Sequence, residues 1–159
     1  MYFEANAMEH SLALPMYRHT QNVPPEVFAG VTAAVGAFSL LRRSPFALWP
    51  VVVGAVAYRY SFSSLTVEVD SKKVSFWFAA KFLPKNVPLE EIEYCAVLNL
   101  SPLSGWGIRY LGSGNWLYNV YGLGAVKLVL HSGKEIAIGS DEPETLLGVL
   151  KSLGVQCRD

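Results

Sequence analysis

Two glycines bracket a tryptophan at Gly105-Trp106-Gly107, and an arginine follows at Arg109. An aromatic ring on a glycine turn beside a guanidinium can form the lip of a binding site. The same pattern also serves a plain turn, in which glycine relieves the backbone and Trp106 packs under a sheet. Ten residues on, Asn115, Trp116, Tyr118, Asn119 and Tyr121 alternate amides with aromatics. On a strand, Trp116, Tyr118 and Val120 share one face and Tyr121 takes the other. Such a face can hold a peptide or a lipid headgroup, or it can be a core strand with its polar groups satisfied locally. Lys72 and Lys73 mark a turn, with Glu68 and Asp70 close by in sequence. Two lysines make a weak anion site, not a chelating pocket. The candidate ligand-binding residues are therefore Trp106, Arg109, Trp116, Tyr118, Lys72 and Lys73.

Other chemistry finds little support. Gly112-Ser113-Gly114 lacks the Lys-Ser/Thr ending of a phosphate loop and reads as a hairpin turn. Gly139-Ser140-Asp141 precedes a helix, but Asp141, Glu142 and Glu144 make an anion unwelcome there. His10, His19 and His131 have no ligand spacing, so no metal site is expected. Cys95 and Cys157 form neither a disulfide framework nor a CxxC knuckle, and Cys95 reads as a small buried hydrophobe. The carboxylates Glu90, Glu91 and Glu93 read as a solvated strand entry. No GxSxG elbow or HExxH motif occurs. The expectation is a non-catalytic protein with no cofactor.

The elements that must position these residues divide near residue 61. From Val27 to Leu41 no charged residue occurs, and a second apolar run covers Phe46 to Tyr58. Arg42 and Arg43 separate them. A surface helix of a soluble domain shows polar residues every third or fourth position, and the first run offers only Thr32 and Ser39. Small residues line it, among them Ala29, Gly30, Ala33, Ala34 and Gly36, which lets two helices approach closely. The expectation is a transmembrane helical hairpin over residues 24–63, preceded by an arm over residues 1–23. Each run is short: fifteen helical residues reach about 22 Å against a hydrocarbon core of about 30 Å. Four basic residues flank the hairpin (Arg18, Arg59, Lys72 and Lys73) against two in its loop, which puts both ends and the following domain in the cytoplasm. The partners expected are then the lipid bilayer and a protein segment or a second copy of the chain. The 13 basic and 13 acidic side chains cancel, which argues against nucleic acid.

From residue 64 the period is two. Leu65, Val67 and Val69 alternate with polar residues, and Val74, Phe76 and Phe78 resume the pattern after a turn. Further strands are expected over residues 92–98, 106–110, 116–121, 125–130 and 135–138, with 84–88 as edge or loop because of Pro84 and Pro88. Short turns predict an antiparallel sheet of about seven strands. The period then changes. Asp141 with Glu144 reads as a capping box, Leu146, Leu147, Leu150 and Leu153 as one helical face, and Gly154 as the helix stop. The fold class expected is α+β, a bent antiparallel sheet or barrel capped by a C-terminal helix over residues 64–155.

The segments SLTVEVD (64–70), PLEEIE (88–93), GWGIRY (105–110), NWLYNVYG (115–122) and AVKLVLHSGKEIAIGSDEPETLL (125–147) carry a resemblance. The chain resembles a group of prokaryotic membrane proteins of unknown function, in which a two-helix N-terminal anchor precedes a pleckstrin-homology-like (PH-like) domain. The resemblance implies a non-catalytic interaction module at the cell membrane, binding a protein segment or a lipid headgroup near the bilayer. The alternative is a small soluble β protein whose apolar helices form an oligomer interface.

Overall fold

The computed structural model describes residues 15–41, 48–101 and 105–158. Its first element is a strand, β1 (Tyr17–Asn22), within the residues 1–23 expected as an N-terminal arm. Two helices follow, α1 (Pro25–Leu41) and α2 (Leu48–Phe62). Strands β2 (Ser64–Val69), β3 (Lys73–Phe78) and β4 (Phe82–Pro88) come next. They continue with β5 (Ile92–Asn99), β6 (Gly107–Gly112), β7 (Asn115–Asn119), β8 (Gly124–Leu130) and β9 (Glu135–Gly139). Helix α3 (Pro143–Ser152) and the short strand β10 (Cys157–Arg158) complete the described order.

The strands make two sheets, and this corrects the expected single bent antiparallel sheet of the PH-like type. One sheet has the order β1-β2-β3-β4, antiparallel throughout. The other has the order β10-β5-β8-β9-β7-β6 and contains two parallel pairs, β7 with β9 and β10 with β5. The expectation rested on short turns joining neighbours. Residues 120–123 join β7 to β8, yet β9 lies between those strands. Four extended residues reach across two strand spacings of about 4.8 Å each, so a short turn does not require adjacency.

The transmembrane hairpin over residues 24–63 is also corrected. Helix α1 has 17 residues and α2 has 15. At 1.5 Å per residue they measure about 26 and 22 Å, short of the hydrocarbon core. Among the described residues no helix is long and apolar enough to cross a membrane. The membrane and transmembrane reading loses its structural basis, and so does the cytoplasmic side assigned from it. The Arg42-Arg43 loop that entered the charge count lies outside the described residues, as does most of the N-terminal arm.

The core sits between the two sheets. Leu65, Val67, Val69, Val74, Phe76 and Phe78 come from one side, and Cys95, Tyr118, Val126, Leu128 and Ile138 from the other. Phe76 meets Tyr118 edge-on at 4.9 Å between ring centroids, a direct aromatic bridge. Helix α3 adds Leu146 and Leu150, both buried, as its leucine spacing demands. Gly154 ends it in the left-handed region at φ 87. The N–H of Gly154 donates to the Lys151 carbonyl (3.1 Å) and that of Val155 to the Leu150 carbonyl (3.1 Å), the pairing of a Schellman stop.

The start of α3 differs from the expected capping box. The cap residue is Glu142, with no side-chain cap bond. Asp141 is turned instead toward β1, where its Oδ1 lies 2.6 Å from His19 Nε2.

Candidate interaction surface

Helices α1 and α2 are inserted between β1 and β2, which pair directly, with Asn22 opposite Ser64. An aromatic ladder fastens the helices to the sheet. Phe28 lies 6.2 Å from Tyr58, Tyr58 stacks on Phe62 at 5.4 Å, and Phe62 meets Phe78 edge-on at 4.8 Å. Tyr58 and Phe62 are four residues apart, so one helical face carries both. Arg59 holds its guanidinium 4.6 Å from the Phe28 ring centre. Burial pushes the Tyr58 hydroxyl pKa up.

The other faces of the helix pair are apolar and open. Trp49 is 69% exposed and Tyr60 75%, with Val52, Val53 and Val56 exposed beside them. A helix that is apolar all round belongs in an interior. Gly30, Gly36 and Gly54 have nothing near the positions a Cβ would take, so the backbone there is open to close approach.

Between the helices and the sheet runs a groove of about 690 Å³, lined by Val27, Thr32, Val56, Tyr58 and Trp106 among others. Among the described residues Arg59 is its one charged lining residue. Thr32 donates its hydroxyl to the Phe28 carbonyl at 2.7 Å, which leaves the wall apolar. Ala79 and Ala80 form the rim on the sheet side. Ala80, Lys81 and Leu83 all have φ between 49 and 58, left-handed values that cost non-glycine residues about 1–2 kcal/mol each.

The sequence-predicted residues fall into three places. Trp106 is 44% exposed, faces the groove, and tilts against Tyr121 at 6.0 Å. Arg109 stands on β6 opposite Leu117, with its guanidinium folded over Gly105. Trp116 is exposed and packs on Tyr110 at 5.1 Å. Tyr118 shares its strand but is buried against Phe76 and Phe78, and burial pushes its hydroxyl pKa up. Lys72 and Lys73 border a separate shallow depression with Glu68, Asp70, Trp77 and Lys81. There Asp70 Oδ1 accepts from the backbone N–H groups of Lys72 (2.7 Å) and Lys73 (2.9 Å). The six residues do not converge on one site. Among the described residues no group of three or more His, Cys, Asp and Glu side chains could hold a metal.

Two pairings were missed from the sequence. His19 and Asp141 are far apart in the chain, and Cys95 and Cys157 face each other across β5 and β10. No short-range signal marks either pair, because both depend on long-range strand placement.

No family model matches the chain, no curated protein matches it, and no solved structure matches it.

Proposed function

We propose that this chain is a non-catalytic β-rich module that associates with further copies of itself through the helix pair α1 and α2. The observation that carries the reading is the exposure of Trp49, Val52, Val53, Val56 and Tyr60 on a helix already fastened to its sheet by another face. That surface amounts to a second apolar face without a partner among the described residues. A second copy suits it for a reason of charge. Residues 27–41 carry no charged side chain, and the one charge on α2, Arg59, is held over the Phe28 ring and not among the five exposed residues, so two identical faces meet with little like-charge repulsion. An interface of this kind is isologous, with the same patch used by both copies.

Sedimentation velocity of the full chain without detergent tests this. Dimers or larger closed assemblies are expected, and the double variant Val52→Glu, Val56→Glu should sediment as a monomer with its far-ultraviolet circular dichroism unchanged. A native chain that stays monomeric at high concentration overturns the proposal. So does a chain that needs detergent to leave the membrane fraction, which would assign the helix faces to lipid.

A further inference from the structure

Strand β10 runs parallel to β5 with Cys157 directly opposite Cys95. The Cys95 N–H donates to the Gln156 carbonyl at 2.8 Å, which fixes the register from the backbone. The two Sγ atoms lie 2.6 Å apart, and both cysteines are free thiols. A small relaxation brings them to the S–S bond length of about 2.05 Å. Cys95 is fully buried in the core and Cys157 is half-buried at the edge of the sheet. The other residue of β10, Arg158, stacks its guanidinium 3.7 Å from the Tyr94 ring centre, so both side chains of this short strand reach β5 and the sulfur pair is the one of the two that can close covalently.

We propose that Cys95 and Cys157 form a redox latch, closing to an intrachain disulfide by exchange with a small-molecule disulfide of the glutathione type. The more accessible Cys157, as thiolate, attacks one sulfur of the small disulfide. That S–S bond breaks and one small thiolate leaves. Cys95, as thiolate, then attacks the Cys157 sulfur of the mixed disulfide, and the second small thiolate leaves. The protons given up by the two cysteines end on the two released thiols, and two electrons pass from the protein pair to the small disulfide. Burial is the first cause that holds the Cys95 thiol above its ordinary pKa, and it persists once Cys157 is in the mixed disulfide, so the second step is the slow one.

Closure ties β10, and through Val155 and Leu150 helix α3, to β5, the second strand of the six-stranded sheet. The bond closes a long loop, with the two cysteines 62 positions apart. Constraint of that loop in the unfolded chain predicts a rise in Tm on the order of 10 °C.

The experiment uses the native full chain, fully reduced and then equilibrated with oxidised glutathione without denaturant. Intact mass and thiol alkylation are read before and after. The expected result is a single-chain mass lighter by two hydrogens, with no covalent link between chains, no alkylatable thiol and unchanged near-ultraviolet circular dichroism. Cys95→Ser should accumulate the mixed disulfide on Cys157, whereas Cys157→Ser should leave the buried Cys95 unmodified. Two thiols that remain alkylatable in the native chain, a mixed disulfide that persists in it, or a crosslink between chains would each overturn the latch.

Discussion

His19 Nε2 lies 2.6 Å from Asp141 Oδ1, which joins the first strand to the residue that precedes Glu142, the cap of helix α3. Glu142 approaches the other ring nitrogen at 3.8 Å. The His19 side chain is 24% exposed and that of Asp141 55%, so solvent screens the pair. A double-mutant cycle with His19→Ala and Asp141→Asn should return a coupling of about 0.5–1 kcal/mol by chemical denaturation. A coupling indistinguishable from zero would show that β1 is held by its ladder with β2 alone.

Tyr17 stacks on His19, and its hydroxyl pKa is raised from 10.0 to about 12 by burial first and by Glu142 and Asp141 next. The folded state thus prefers the neutral phenol. Its contribution is fully present below the unfolded value and is lost as pH rises from about 10 to about 12. Tyr17→Phe should flatten the alkaline fall in the denaturation midpoint over that window. Part of the fall should persist, because Tyr58 and Tyr118 are raised as well.

Gly139 and Gly124 leave no room for a side chain. A Cβ on Gly124 would sit 2.6 Å from the Ser140 carbonyl oxygen, and one on Gly139 would overlap the Asn119 side chain and lie 3.1 Å from its Cα. The obstacles include backbone atoms, which cannot rotate away. Either alanine substitution should destabilise by about 1–3 kcal/mol in urea unfolding.

Ala80 should respond in the opposite direction. Its φ of 53 suits glycine, and the residue is exposed on the rim of the groove. Ala80→Gly relieves the left-handed penalty and pays back part of it in unfolded-chain entropy, for a net gain of up to about 1 kcal/mol. A rise in Tm of a few degrees checks it. A fall would mean that the methyl group contributes to the groove wall more than the backbone loses.

Phe62 carries the attachment of the helices, touching Tyr58, Phe78 and Phe82. Phe62→Ala should cost about 2–4 kcal/mol, toward the lower end because the ring is only half-buried. Hydrogen exchange should show α1 and α2 losing protection before β5 and β8 do.

The local elements were legible where period and punctuation agree. Val74, Phe76 and Phe78 alternate and all lie in the core. Pro84 and Pro88 put β4 at a sheet edge, and Leu146 with Leu150 turns α3 inward. What failed was pairing. Alternation says which face a residue takes but not which strand lies beside it, so β9 between β7 and β8 and the parallel β10 were hidden. Helix α1 misled because apolar composition measures the wish for burial and not its means. Of the proposed site residues, Trp116 and Tyr118 show the same limit. They occupy one face of β7, yet Trp116 lies beyond the covered part of the sheet and Tyr118 beneath it.

Asn22 and Ser64 face each other as ladder partners, although residues 23–63 intervene. The excursion therefore leaves and re-enters the β body at a single gate. Loop-closure entropy grows only logarithmically, by about 0.6 kcal/mol per doubling of length. Such a gate makes the lobe of α1 and α2 an interchangeable part: its length and outer surface can drift while the ladder that closes the gate, and the body behind it, stay the same.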